Sequence, residues 1–107
     1  MAQTYTVGMW MAKAGEEREF IEAWREFAAW GSTMPGVGTL RLTRDANDPR
    51  RFLSFAPWES IEAIHAWKSS DEFKERIGRV KGHTDEFTAW EFALETSVPG
   101  RERVGAG

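Results

Sequence analysis

Residues 51–73 pack a strand, a sharp exit and an aromatic-bearing helix into one short run, and this run constrains the fold more than any other feature. The run Arg51-Phe52-Leu53-Ser54-Phe55-Ala56 is rich in aromatic and apolar residues, as a mostly buried strand requires. Pro57 cannot donate to a ladder and is expected to help end that strand. Trp58, Glu59 and Ser60 then turn the chain into a helix on which Ile61, Ile64 and Trp67 recur at every third position and share a face. Glu59, Glu62, His65 and Lys68 fall mainly elsewhere. Ser69-Ser70-Asp71-Glu72 breaks that face, and Ser70 has the chemistry of a cap for a further helical stretch running through Phe73 and Ile77 towards Val80.

The rest of the chain supplies partners for these elements. Residues 4–11 alternate, with Tyr5, Val7, Met9 and Met11 on one face and Thr6, Gly8 and Trp10 on the other, which predicts a strand that uses both faces. A helix is predicted over residues 16–30, opening on Glu16, Glu17 and Glu19 where negative charge suits the dipole. Its apolar stripe is Phe20, Ile21, Trp24, Phe27 and Ala28; Arg18, Glu22, Arg25 and Glu26 read as a solvated face, and Gly31 as the stop. After the turn around Pro35 and Gly36, residues 39–44 and 51–56 form a hairpin across the loop Asp45-Ala46-Asn47-Asp48-Pro49. Residues 87–94 make a last strand, with Thr88, Trp90, Phe92 and Leu94 on its heavily apolar face. The order strand, helix, strand, strand, helix, strand is the split βαβ pattern. It predicts one α+β, ferredoxin-like domain over residues 1–96, a four-stranded antiparallel sheet with helices on one face, and a loose tail over 97–107.

Composition narrows the function. A chain of 107 residues with six Trp and seven Phe has more rings than a small core needs, which points to an aromatic-lined pocket, a hydrophobic subunit interface, or both. The face carrying Tyr5, Val7, Met9 and Met11 would leave a large apolar patch in water, so a homodimer packed sheet against sheet is expected. The absence of Cys removes disulfides, thiolate metal sites and iron–sulfur clusters, and two scattered His make no metal site. A net charge of −3 with mixed signs lacks the basic footprint of a nucleic-acid binder, and no long apolar span or leader is seen, so a cytoplasmic protein with neither nucleic-acid nor membrane partner is expected. There is no phosphate-binding glycine loop, no H-E-x-x-H and no G-x-S-x-G.

The spacing Trp58, Ser60, Trp67, Ser70, Phe73 behind an aromatic strand resembles the antibiotic biosynthesis monooxygenase domain family, over about residues 4–95. The resemblance implies a ferredoxin-like half that dimerises into an α+β barrel, and a family that includes cofactor-free oxygenases of polycyclic aromatics, haem-degrading enzymes and proteins of no known chemistry. The haem-degrading pattern has an Asn on the first strand, a Trp on the second long helix and a ligand His some ten residues beyond it. Only Trp67 matches; Gly8 stands in place of the Asn and Ile77 in place of the His, while His65 and His83 lie elsewhere.

A ligand site between sheet and helices would draw on Gly8, Trp10, Phe20, Trp24, Trp67, Phe73 and Phe92, and would suit a flat hydrophobic aromatic molecule. Gly8 on a strand leaves room for close approach. In cofactor-free oxygenation the substrate anion itself supplies the electron that activates dioxygen, so no metal, flavin or haem is required. Trp67 is then the residue assigned a catalytic part, as stacking wall or indole N–H donor. The competing reading is a non-catalytic dimeric small-molecule-binding or stress-related protein whose pocket is filled. An enclosed cavity beside Trp67 and Gly8 with a polar group favours the first; tight packing of Trp10, Trp24 and Trp67 favours the second.

Overall fold

Alternation along the strands decides which residues meet the helices, and register decides how they meet one another. In the computed structural model, which describes residues 3–101, the order is β1 (Thr4–Ala12), α1 (Glu17–Gly31), β2 (Arg41–Arg44), β3 (Arg51–Trp58), α2 (Ile61–Lys68), α3 (Asp71–Lys81) and β4 (Thr84–Ala93). The strands form one four-stranded antiparallel sheet in the order β2-β3-β1-β4, so β1 and β3 are central. Trp10 and Ala12 of β1 and Phe52, Ala56 and Trp58 of β3 are buried with Phe20, Trp24 and Phe27 of α1, Ile64 and Trp67 of α2 and Val80 of α3. The fold is the expected ferredoxin-like α+β domain with its helices on one face.

Local chemistry explains the helix boundaries. Ser60 Oγ accepts from Ala63 N at 3.1 Å to start α2, and Ser70 Oγ accepts from Phe73 N at 3.1 Å to start α3. The second helical region is therefore two helices joined at Ser69-Ser70. Gly31 does not stop α1 but lies in its last turn, with Ser32 at the cap. A methyl group there would stand 3.2 Å from Trp67 Cζ2 and 3.4 Å from Leu40 Cδ2, so the missing side chain serves the approach of α2.

Pro57 does not end β3, which continues to Trp58. The Pro57 carbonyl accepts from Gly38 N at 2.8 Å, on the side away from β1. A strand residue's N–H and C=O point the same way, so the absent donor also faces that side, where β2 has already ended at Arg41. β2 itself is shorter than expected, leaving Thr39 and Leu40 outside it.

Opposite the helices the sheet is apolar and uncovered. Tyr5, Val7 and Met9 of β1 pair with Phe92, Trp90 and Thr88 of β4, while Leu53, Trp90 and Phe92 are 41%, 39% and 51% exposed. The Trp90 and Phe92 rings stack at 6.1 Å and 10°. Among the described residues no helix is long and apolar enough to cross a membrane. The predicted tail falls partly outside the described residues, and residues 94–101 have no regular secondary structure.

Phe20 is fully buried, with its ring centroid 5.4 Å from Trp10 and 4.8 Å from Phe52. Phe20→Ala is expected to lower stability by about 3–5 kcal/mol, the cost of a large cavity in a closed core. A urea unfolding midpoint unchanged from wild type would contradict that placement.

Candidate functional site

The two layers part where β1 has no side chain. Gly8, Trp10 and Ser54 on the sheet and Trp24, Trp67 and Phe73 on the helices line a cavity of about 50 Å³, with Thr6, Phe27, Leu40, Lys68, Ile77 and Phe87 completing much of its wall. At roughly 10–15 Å³ per water-sized occupant, that is room for a few small molecules such as dioxygen. Trp24 and Leu40 also line an open groove of about 690 Å³ between α1 and residues 37–40, so these two side chains stand between the inner space and the outer one.

The space beside Gly8 is not simply empty. Across the central strands Trp10 Nε1 donates to Ser54 Oγ at 2.9 Å, and a methyl group at Gly8 would lie 2.9 Å from that oxygen and 3.1 Å from that nitrogen. Gly8 is thus the gap through which a buried hydrogen bond passes. Trp10 in turn stacks on Phe87 at 4.0 Å, directly opposite it in the register of β1 and β4.

Trp67 is held by rings on several sides. Phe73 meets it edge-on at 4.7 Å, and Trp58, Phe27 and Trp30 lie at 5.0, 5.5 and 6.1 Å. Such surroundings fix the plane of an indole but offer its N–H no acceptor. Trp10 donates to Ser54, and Trp58 Nε1 donates to Thr6 Oγ1 at 3.1 Å. Trp67 Nε1 is buried and has no partner among the described residues. A buried donor left unpaired costs about 1–3 kcal/mol, and Trp67 is one of the residues that line the cavity.

Of the residues expected at the site, Gly8, Trp10, Trp24, Trp67 and Phe73 are brought together around this cavity. Phe20 is not among its lining and belongs to the core beneath it. Phe92 is a correction: it pairs with Tyr5 and shares the uncovered face of the sheet, because the register sets Phe87 and Ala89 opposite Trp10 and Gly8. Trp10, Trp24 and Trp67 surround the space, and no ring pair forms among them within the described residues. His65 is exposed, and His83 Nδ1 lies 3.0 Å from Glu16 Oε1.

Sequence reasoning missed Ser54 and Lys68. Ser54 shares the parity of the buried Phe52 and Ala56, and a small polar residue in that series was a signal available to it. Lys68 had no such signal. It lines the cavity because its partner is Glu91 on β4, to which Nζ is hydrogen-bonded.

A ferredoxin-like sheet with an aromatic cavity beneath its helices defines the class of domain. The sequence model described as antibiotic biosynthesis monooxygenase matches residues 4–79, and the chain belongs to that family. No curated protein matches it. Among solved structures it is similar to SnoaB, a cofactor-independent oxygenase from Streptomyces nogalater, with a TM-score of 0.84, 16% identity and coverage of 94% of this chain and 100% of that one. It is similar too to a conserved protein from Methanosarcina mazei, with a TM-score of 0.77, 16% identity and coverage of 86% and 92%. At these identities the likeness is one of fold.

Ser54→Ala would leave the Trp10 N–H buried and unpaired, and is expected to cost about 1–3 kcal/mol of stability. Equilibrium denaturation measures it; a loss indistinguishable from zero would mean that the Trp10–Ser54 bond contributes nothing.

Proposed function

We propose that this protein is a cofactor-independent, monooxygenase-like enzyme that takes a hydrophobic aromatic or polyketide-type small molecule between its sheet and helices, as a homodimer. The observation that carries this reading is the buried N–H of Trp67, a residue of the cavity lining, which is unpaired among the described residues. An oxygen substituent on a bound ring system would supply its missing acceptor. Trp67 then has the catalytic part, holding negative charge on that oxygen while the substrate anion passes an electron to dioxygen. Gly8, Trp10, Trp24 and Phe73 bind and orient the rings and exclude water.

A polycyclic molecule is larger than the present cavity, so Trp24 and Leu40 swing towards the groove they also line when it binds. Membership of the family and the likeness to SnoaB support this reading. Haem degradation has no such support, because the cavity lining contains no His, Cys, Tyr or Met to ligate iron and Ile77 stands in the wall.

The second reading, a non-catalytic binding protein, is favoured by one observation: no carboxylate or imidazole belongs to the lining, so no side chain there is built to take a proton from the substrate. Titration with a polycyclic phenol separates the two. Saturable quenching of Trp fluorescence with oxygen uptake is expected, and Trp67→Phe should weaken binding about tenfold, the ~1.4 kcal/mol of a hydrogen bond, and lower oxygen uptake. Binding with no oxygen uptake would replace the enzyme by the binding protein, and no binding at all would remove both.

The uncovered face supports the homodimer. A patch containing Tyr5, Val7, Met9, Leu53, Trp90 and Phe92 is costly to leave in water, and a second copy packed sheet to sheet would bury it. Sedimentation equilibrium should give twice 12.2 kDa, and Phe92→Glu should shift the population to monomer. A wild-type monomer at micromolar concentration would contradict the dimer.

A further inference from the structure

Among the described residues, Lys68 is the only charged residue lining the cavity. It is the last residue of α2, next to Trp67, and its side chain is 23% exposed. Its ammonium group is bonded to Glu91 Oε2 on β4, opposite Thr6 in the register with β1. A cation beside a largely apolar cavity is best stabilised when a carboxylate faces it. Glu91 meets that need from an edge strand, since β4 has only β1 beside it. Its own side chain is 33% exposed, so it returns to water at small cost when released.

The geometry points to Lys68 as the anchor for a carboxylate on the ligand. On binding, the ligand's carboxylate takes the place of Glu91 on Lys68 Nζ, Glu91 turns out into solvent, and the attached rings lie against Trp67. The exchange swaps one carboxylate for another, so Lys68 is never left unpaired and no proton is transferred. This inference rests on the reading of the cavity as a ligand site and adds the substrate class: an aromatic ring system bearing a carboxylate, in preference to its neutral counterpart. The groups that face Lys68 are few. Glu91, outside the lining, is its ion-pair partner, and among the described residues the rest of the lining, on β1, β3, α1, α2, α3, β4 and at Leu40, is uncharged.

The test is calorimetric titration at neutral pH with 2-naphthoate and with 2-naphthamide, which has the same rings and no charge. Wild type is expected to bind the acid about tenfold more tightly than the amide, the range of a charge-assisted hydrogen bond over a neutral one. Glu91→Gln removes the competitor, and should raise affinity for the acid severalfold while leaving the amide within about twofold. Lys68→Met should abolish the preference by weakening the acid alone. Equal binding of acid and amide by wild type, or a preference that survives Lys68→Met, overturns the inference and leaves the ligand site standing. Failure of both probes to bind overturns the two together. Because Glu91→Gln leaves the apolar core untouched, a folding failure of Lys68→Met does not shelter the proposal: an acid affinity unmoved by Glu91→Gln overturns it too.

Discussion

The hydrogen bond from Trp10 to Ser54 ties the two central strands together inside the core, and much of the interior is arranged about it. It crosses the place where Gly8 lacks a side chain, and a methyl there would touch both of its atoms. With the indole fixed, Phe20 tilts against it from α1 and Phe87 stacks on it from β4. A large polar-tipped ring can occupy the middle of a small core only when its N–H is satisfied, since an orphaned donor costs about as much as a good core contact contributes. Ser54 is what makes Trp10 affordable, and Gly8 is what lets Ser54 reach it.

The helical layer follows the same rule up to one residue. Trp58 finds Thr6, but Trp67, enclosed by Phe27, Trp30, Trp58 and Phe73, finds no acceptor among the described residues. Such a violation amid otherwise satisfied packing is where function is to be sought, and the proposed role of Trp67 draws on it. The absence of a side chain at Gly31 lets α1 come within contact of Trp67, so the position of the donor is set by backbone as well as by rings.

Much of this was legible locally. The cap at Ser70, the alternation of β1 and the grouping of Ile64 with Trp67 depend on neighbours a few residues apart, and all appear as read. What failed depends on distant partners. Alternation gives a strand two faces but does not say which is inside: in β4 the more apolar series, Thr88, Trp90 and Phe92, lies outside, and Phe87, Ala89 and Glu91 face the helices. Phe92 was misplaced for that reason. Pro57 was read as a strand end because nothing in sequence says that β2 stops short of it. Lys68 was read only as lying off the apolar face of its helix, because Glu91 is 23 positions away.

The most direct test of the unpaired donor is the set of indole N–H resonances in a nitrogen–proton correlation spectrum, with the Trp67 signal assigned by its loss in Trp67→Phe. Adding a polycyclic phenol should move that signal downfield, as a new hydrogen bond forms, while the Trp58 resonance, already bonded to Thr6, moves little. A Trp67 signal that stays in place while the ligand saturates the protein would contradict the role given to its N–H.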